Sequence, residues 1–188
     1  MARVLIPLAD GLEETEAVTT IDILRRASIE VDTVGLNEGF VTASRGVVLK
    51  PDRVIDDVQA GDYDMIALPG GGGGAKRLMA DERLMSLLRE HGQVGGWTAA
   101  ICAAPKVLAT AGLLSGLRAT SFPAWLDDEP NLTYSEDPVV MDARVVTSRG
   151  PGTAMDFALH LVEQLTDRDT AAGVEAKLQR PPVHRRFG

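Results

Sequence analysis

The chain holds one cysteine, Cys102, in 188 residues. No intrachain disulfide can form, which excludes a secreted scaffold built on disulfides. Long apolar runs are missing too: none approaches the ~18 residues that would span a bilayer. The run at residues 4–9 is interrupted by Pro7, too short for a signal-peptide core, and followed at once by acids. A soluble, cytoplasmic protein is therefore expected, with no membrane contact. Cations are in deficit: 19 Lys and Arg stand against 27 Asp and Glu, a net charge of −8. Such a surface repels phosphate backbones and argues against nucleic-acid binding. Histidines number three, His91, His160 and His184, none near Cys102 in sequence. Each reads as a surface residue rather than a base, and no Cys/His cluster has metal-ligand spacing. Internal repeats and a linker are absent, so one domain is expected over residues 1–178, followed by a frayed, solvated tail at 179–188.

What is present fits a globular chain. Hydrophobic residues make up 45% and charged residues 24%, enough for a stable core without staples. Residues 4–9 read as a strand buried on both faces. Glu13, Glu14 and Glu16 crowd the first turn of a helix, where acids suit the dipole. Ala17, Ile21 and Leu24 give that helix a core face. Further strands are expected at 30–36, 63–68 and 94–101, and hairpins at 40–49, turning at Ser44-Arg45-Gly46, and at 139–147, turning at Asp142-Ala143. Helices are expected at 75–91, 103–114, 153–165 and 169–178, with 119–137 as loop. Strand and helix alternate, which predicts an α/β fold with a mostly parallel sheet covered on both faces. Ligands in such sheets sit at the carboxyl ends of strands. Three of those ends carry unusual residues: the segment Asp10 to Glu16, the glycines at 70–74, and Cys102.

Cys102 sits in Ala100-Ile101-Cys102-Ala103-Ala104, after an apolar strand and before a helix. Small residues two before and two after suit a tight nucleophile elbow, which leaves no room for bulk. There the sulfur meets a helix N-terminus, which favours thiolate. The alternative is a buried cysteine acting as a small hydrophobe. The glycine run at 70–74 matches a dinucleotide-binding pattern only as any glycine run does, and no Gly-Lys pair completes a phosphate loop. Its amides could instead line an oxyanion pocket facing Cys102, or the run could be a flexible turn. Among the acids, periodicity selects none as buried, although Glu16 continues to Thr20, Ile23 and Ala27 at the edge of the apolar stripe. A carboxyl beside a thiolate helps only when protonated, since it then donates a hydrogen bond to sulfur. Ser148-Arg149-Gly150-Pro151-Gly152-Thr153 has the makings of an anion-binding turn, or of a tight structural connection.

Together these segments resemble the ThiJ/PfpI superfamily and its Parkinson disease protein 7-like subgroup. The resemblance rests on Gly11-Leu12-Glu13-Glu14-Thr15-Glu16, Leu68-Pro69-Gly70-Gly71, Ala99-Ala100-Ile101-Cys102-Ala103-Ala104-Pro105, Tyr134-Ser135-Glu136 and the Thr147 to Thr153 segment, in the family's order. It implies a flavodoxin-like three-layer sandwich, a homodimer, and no cofactor or metal. It assigns Cys102 as an oxidisable nucleophile and Glu16 as a protonated carboxyl. Gly71 and Ala103 would supply oxyanion amides, and Arg45 would approach from the partner subunit. Phe122 and Pro151 fall at the rim. The subgroup often carries histidine where this chain has Phe122, and protease-like relatives place histidine where it has Ala103, which argues against a protease. The implied activity is a cofactor-free glyoxalase or deglycase acting on a small aldehyde or glycated substrate. The alternative is a redox sensor or oxidative-stress protein whose Cys102 is oxidised to sulfinate, with no resolving cysteine in the chain.

Overall fold

The structure is a computed structural model and describes residues 1–180. The chain runs β1 (Arg3–Leu8), α1 (Glu14–Arg26), β2 (Glu30–Gly35), β3 (Val41–Thr42), β4 (Val48–Leu49), β5 (Arg53–Val54) and β6 (Met65–Leu68). Then come α2 (Gly72–Ala80), α3 (Glu82–Gln93), β7 (Trp97–Ile101), α4 (Pro105–Thr110), β8 (Arg118–Ala119) and β9 (Thr133–Tyr134). It closes with β10 (Val139–Asp142), β11 (Val145–Ser148), α5 (Ala154–Leu165) and α6 (Arg168–Lys177).

Seven strands form the central sheet in the order β10-β11-β7-β6-β1-β2-β5. Only β10 runs antiparallel, against β11. The strands β1, β6 and β7 are almost wholly buried, as their unbroken apolar runs predict. From β1 the chain first steps to β2, and later from β6 to β7 and β11 in the opposite direction. Right-handed crossovers therefore put α1 on one face and α2, α3 and α4 on the other. After β11 the chain returns on the face of α1, where α5 packs against α1 and α6 against α5. The sheet's direction reverses between β1 and β6. That switch point opens a crevice at their carboxyl ends, where α1 begins and the glycine run follows β6.

Several elements differ from the pattern reading, each for a local reason. The helix expected at 75–91 is two helices, because the Asp81 carboxylate caps the amides of Arg83 and Leu84 and so starts a new helix after α2. Gly72, Gly73 and Gly74 form the first turn of α2, leaving only Gly70 and Gly71 as the turn. The helix expected at 103–114 ends at Thr110, and Gly112 takes φ +82° just beyond it. The β10–β11 turn falls one residue late: Asp142 pairs with Val145, and its carboxylate accepts from Arg118 N at 2.8 Å. Within 119–137, β8 and β9 form a short parallel pair.

Helix α1 buries Glu14, Glu16, Ala17, Thr20, Ile23 and Leu24, while Ile21 is only half-buried. The buried stripe is thus rotated toward the acids, and Glu14 and Glu16 are not the solvated first turn that their type suggests. His91 is no surface residue either. Its ring is buried, with Nδ1 at 3.2 Å from the Ala60 carbonyl and Nε2 at 2.9 Å from that of Trp97. The expected frayed tail overlaps the described residues only at Gln179 and Arg180. There Arg180 is held by Asp156 at 2.6 Å and Glu175 at 3.1 Å. His184 and the rest of the tail lie outside the described residues. No helix among the described residues is long and apolar enough to cross a membrane.

Candidate active site

Cys102 follows β7 directly and takes φ +64°, a left-handed conformation that costs a non-glycine residue energy and persists only where its surroundings enforce it. Here both sides of the residue are fixed. Its amide donates to the Ser148 carbonyl at 2.9 Å, and its carbonyl accepts from the Phe122 amide at 2.8 Å. This is the strand-to-helix elbow expected from the small residues at 100 and 104, and Cys102 is buried, with 8% of the residue exposed.

Glu16 reaches the same point from the first turn of α1. Its side chain is fully buried, and Oε2 accepts from the Gly70 amide at 2.8 Å. The start of α1 is fastened to the glycine turn a second time, by the Glu13 amide on the Gly70 carbonyl at 2.9 Å. The Glu13 carboxylate in turn caps the Glu16 amide at 3.0 Å. Gly70 stands between the two reactive side chains. A Cβ there would fall 2.6 Å from Cys102 Cβ, 2.6 Å from Glu16 Oε2 and 2.7 Å from the Ile101 carbonyl, so only glycine fits. Gly71, at φ +88°, is equally confined: a Cβ would fall 2.5 Å from Glu13 N.

The electrostatics follow from this burial. Glu16 is pushed up to about 7, chiefly because burial penalises its charge. Its Oε1 has no nitrogen or oxygen partner, and its carboxyl interacts directly with the Cys102 thiol. Burial first, and then the charge of Glu16, push Cys102 up to about 12. The Gly71 and Ala103 amides act the other way, favouring the anion. The elbow alone therefore does not deliver the thiolate that a helix N-terminus was expected to favour. Burial and an ionised neighbour outweigh the amides, and α4 is only six residues long. A proton on Glu16 removes the repulsion and turns the carboxyl into a donor toward sulfur.

Of the residues expected at the site, the structure brings together Cys102, Glu16, Gly71 and Ala103. Phe122 joins through its amide, while its ring is half exposed. It lines a groove of about 390 Å³ with Pro123, Pro138, Arg149 and Pro151, and neither Cys102 nor Glu16 lines it. Arg45 stands apart, exposed on the β3–β4 hairpin, and its guanidinium reaches only the Ser44 carbonyl, at 3.5 Å. Its amide donates to Glu14 Oε1 at 2.7 Å, and Ser44 Oγ donates to Glu14 Oε2 at 3.0 Å. Burial alone would raise the Glu14 carboxyl, but these donors and the Val47 amide hold it below its usual range. Sequence reasoning missed Gly70, Glu13, Glu14 and Ser148 as supports. The crowding of acids signalled Glu13 and Glu14; nothing local signals Ser148, which acts through pairing of β11 with β7. Among the described residues no three His, Cys, Asp or Glu side chains are grouped to hold a metal ion.

A glutamate whose folded-state value is raised binds its proton more tightly when folded, so its contribution is present below pH 4.5 and is lost as pH rises toward 7. Comparing Glu16→Gln with wild type isolates this group from the other carboxylates. The variant should gain about 3 kcal/mol relative to wild type between pH 4.5 and 8, read by urea unfolding. A difference that does not change with pH would show that Glu16 is not perturbed.

Residues 2–164 match the DJ-1/PfpI family. Protein dj-1beta of Drosophila melanogaster is 43% identical over 168 residues, covering 88% of this chain and 90% of its own. A Caenorhabditis elegans protein named glutathione-independent glyoxalase DJR-1.2 is 37% identical over 166 residues, covering 87% of this chain and 88% of its own. Protein DJ-1 homolog B of Arabidopsis thaliana is 41% identical over 169 residues and 89% of this chain, which spans only 39% of that longer protein. Among solved structures, oxidized Toxoplasma gondii DJ-1 superposes with a TM-score of 0.92 at 40% identity, covering 97% of this chain and 100% of that one. The chain belongs to the DJ-1/PfpI family and has its flavodoxin-like fold.

Proposed function

We propose that the chain is a cofactor-free enzyme that converts small 2-oxoaldehydes to 2-hydroxy acids by way of Cys102, protecting the cytoplasm against reactive carbonyls. The observation that carries this reading is the Cys102–Glu16 pair, a buried thiol and a buried carboxyl raised to about 7 on either side of Gly70. A similar protein named as a glutathione-independent glyoxalase supports the substrate class.

Burial keeps the pair's proton on sulfur while Glu16 is ionised; the reaction starts when that proton passes to Glu16, which leaves a thiolate at Cys102. The thiolate adds to the aldehyde carbon and forms a C–S bond, while the carbonyl electrons move onto oxygen. The Gly71 and Ala103 amides hold that oxyanion, which takes the proton from Glu16 to become a hemithioacetal and leaves Glu16 a carboxylate. Glu16, as carboxylate, takes the proton from C1 and returns one to C2, so the hemithioacetal becomes the thioester of a 2-hydroxy acid. Water then cleaves the thioester, releasing the acid and restoring Cys102. The sum is aldehyde plus water giving hydroxy acid, with no external oxidant. Attack on an early glycation adduct would use the same thiolate and the same amides.

A homodimer fits the surface. Val18 on α1 and Val47 and Val48 on the hairpin are all exposed apolar side chains. The hairpin that carries Arg45 is tied to the start of α1 by Glu14. An interface there would cover these valines and bring Arg45 toward a partner's site.

A second reading concerns the same sulfur. A buried cysteine flanked by amides and a carboxyl that can donate suits a sulfinate, and one structural relative is an oxidized DJ-1.

In an assay of methylglyoxal loss coupled to lactate formation, Cys102→Ser should lose all turnover. Glu16→Gln should lose ~10²–10⁴-fold in kcat, the usual size of an acid–base contribution, and keep the wild-type circular dichroism. Full activity in either variant refutes the mechanism. By light scattering the protein should have twice its chain mass and Val48→Asp the mass of one chain; a monomeric wild type sinks the dimer. Peroxide-treated protein should carry two added oxygen atoms on Cys102 by mass spectrometry, and an unmodified Cys102 ends the second reading.

A further inference from the structure

The segment at residues 122–129 crosses the site like a strap. It starts at Phe122, whose amide is bonded to the Cys102 carbonyl. Ala124 follows with φ +70°, a conformation that only external anchors maintain. The Trp125 indole then lies over the glycine run: a Cβ on Gly72 would stand 3.2 Å from its Cζ2. Leu126 is buried, and Trp125 packs partly against the core beside it. The strap does not lie flush on the body. A cavity of about 320 Å³ opens beneath it, lined by Met79, Lys106, Pro123 and Trp125 among others. Packing is therefore not continuous along the strap, and its far end carries a specific contact as well.

That contact is Lys106, four residues after the nucleophile, in the first turn of α4. Its amide donates to the Ala103 carbonyl at 3.3 Å. Its ammonium reaches both acids at the strap's end, Asp128 Oδ1 at 2.6 Å and Glu129 Oε1 at 2.6 Å. The lysine side chain is 19% exposed and that of Glu129 26%, so the pair is partly sheltered from water and screened less than a surface pair. The Cys102 elbow thus grips the strap at both ends, by a peptide hydrogen bond at Phe122 and by a charged fork at 128–129.

We infer that Lys106 is a positioning residue: through Asp128 and Glu129 it holds Phe122 and Trp125 as the wall over Cys102 and the glycine turn. The inference rests on the proposed reaction only where it concerns turnover; the wall itself governs access to the thiol for any reagent. Ionic strength weakens the grip by screening its exposed member, Asp128. Lys106→Arg keeps the grip, since guanidinium can serve both carboxylates.

The test uses a Trp97→Phe background, in which Trp125 is the only indole. Lys106→Met should shift Trp125 emission to the red and increase its quenching by acrylamide. It should raise the rate of Cys102 alkylation by iodoacetamide severalfold, and Lys106→Arg should restore both readouts. Added salt should move the parent toward the Met variant and leave that variant unchanged. With methylglyoxal, Lys106→Met should raise KM more than it lowers kcat. A folded Lys106→Met with parental Trp125 emission and parental alkylation rate would overturn the inference. A parent that turns over no aldehyde yet shows the emission and alkylation changes would refute the proposed reaction and leave Lys106 in its role.

Discussion

The hydrogen bond from the Gly70 amide to Glu16 Oε2, 2.8 Å long and buried, crosses a space that admits no side chain. The distances around a hypothetical Cβ at Gly70 show that sulfur-bearing Cys102, the Glu16 carboxyl and the β7 backbone already fill it. Glu16 is fully shut off from water there, and Cys102 keeps only a small exposed face. Desolvation then sets their chemistry, raising both toward their neutral forms and forcing them to compete for protons. The strained φ of Cys102, the bond from the Glu13 amide to the Gly70 carbonyl, and the Ser148 and Phe122 contacts all serve to keep these three residues in place.

The topology explains why residues so far apart in the chain meet. The carboxyl ends of β1, β6 and β7 are neighbours in the sheet, and the reversal of winding between β1 and β6 leaves their mouths uncovered by a crossover. The start of α1, the glycine turn and the elbow each follow one of these strands directly. Gly70, Gly71, Cys102 and Ala103 lie just beyond the ends of β6 and β7, and Glu16 lies in the first turn of the helix that follows β1. Rigid elements therefore supply its geometry, and the longer segments, the β3–β4 hairpin and the strap at 122–129, supply its surroundings.

What the sequence discloses tracks how local the cause is. Cys102 is legible because its small neighbours at 100 and 104 are a local requirement of the elbow. The parallel α/β architecture is legible from the alternation of apolar strands with helices. Glu16 is not singled out by periodicity, since the buried stripe of α1 takes in Glu14 as well and the pattern does not tell a buried carboxyl from a solvated one; only the family resemblance singles it out. The upward shift of Cys102 is hidden for the same reason. His91 looks like a surface residue at a helix end, yet two carbonyls from other segments enclose it. The split at Asp81 has a local cause, an aspartate cap, which the run of leucines conceals. The grip of Lys106 on Asp128 and Glu129 spans more than twenty residues, and no pattern along the chain announces it.

The central claim of the proposed reaction is that the pair's proton passes to Glu16 and leaves Cys102 a thiolate, reversing the order that burial gives while Glu16 is ionised. It is tested most directly by the rate of Cys102 alkylation as a function of pH, in wild type and in Glu16→Gln. Free cysteine titrates near ~8.5. The account predicts a wild-type midpoint well below that value, rising in Glu16→Gln, where an amide replaces the stronger carboxylic donor. A wild-type midpoint at or above ~8.5, or one that falls when Glu16 is replaced, would mean that the proton stays on sulfur and that Glu16 acts as a repelling carboxylate.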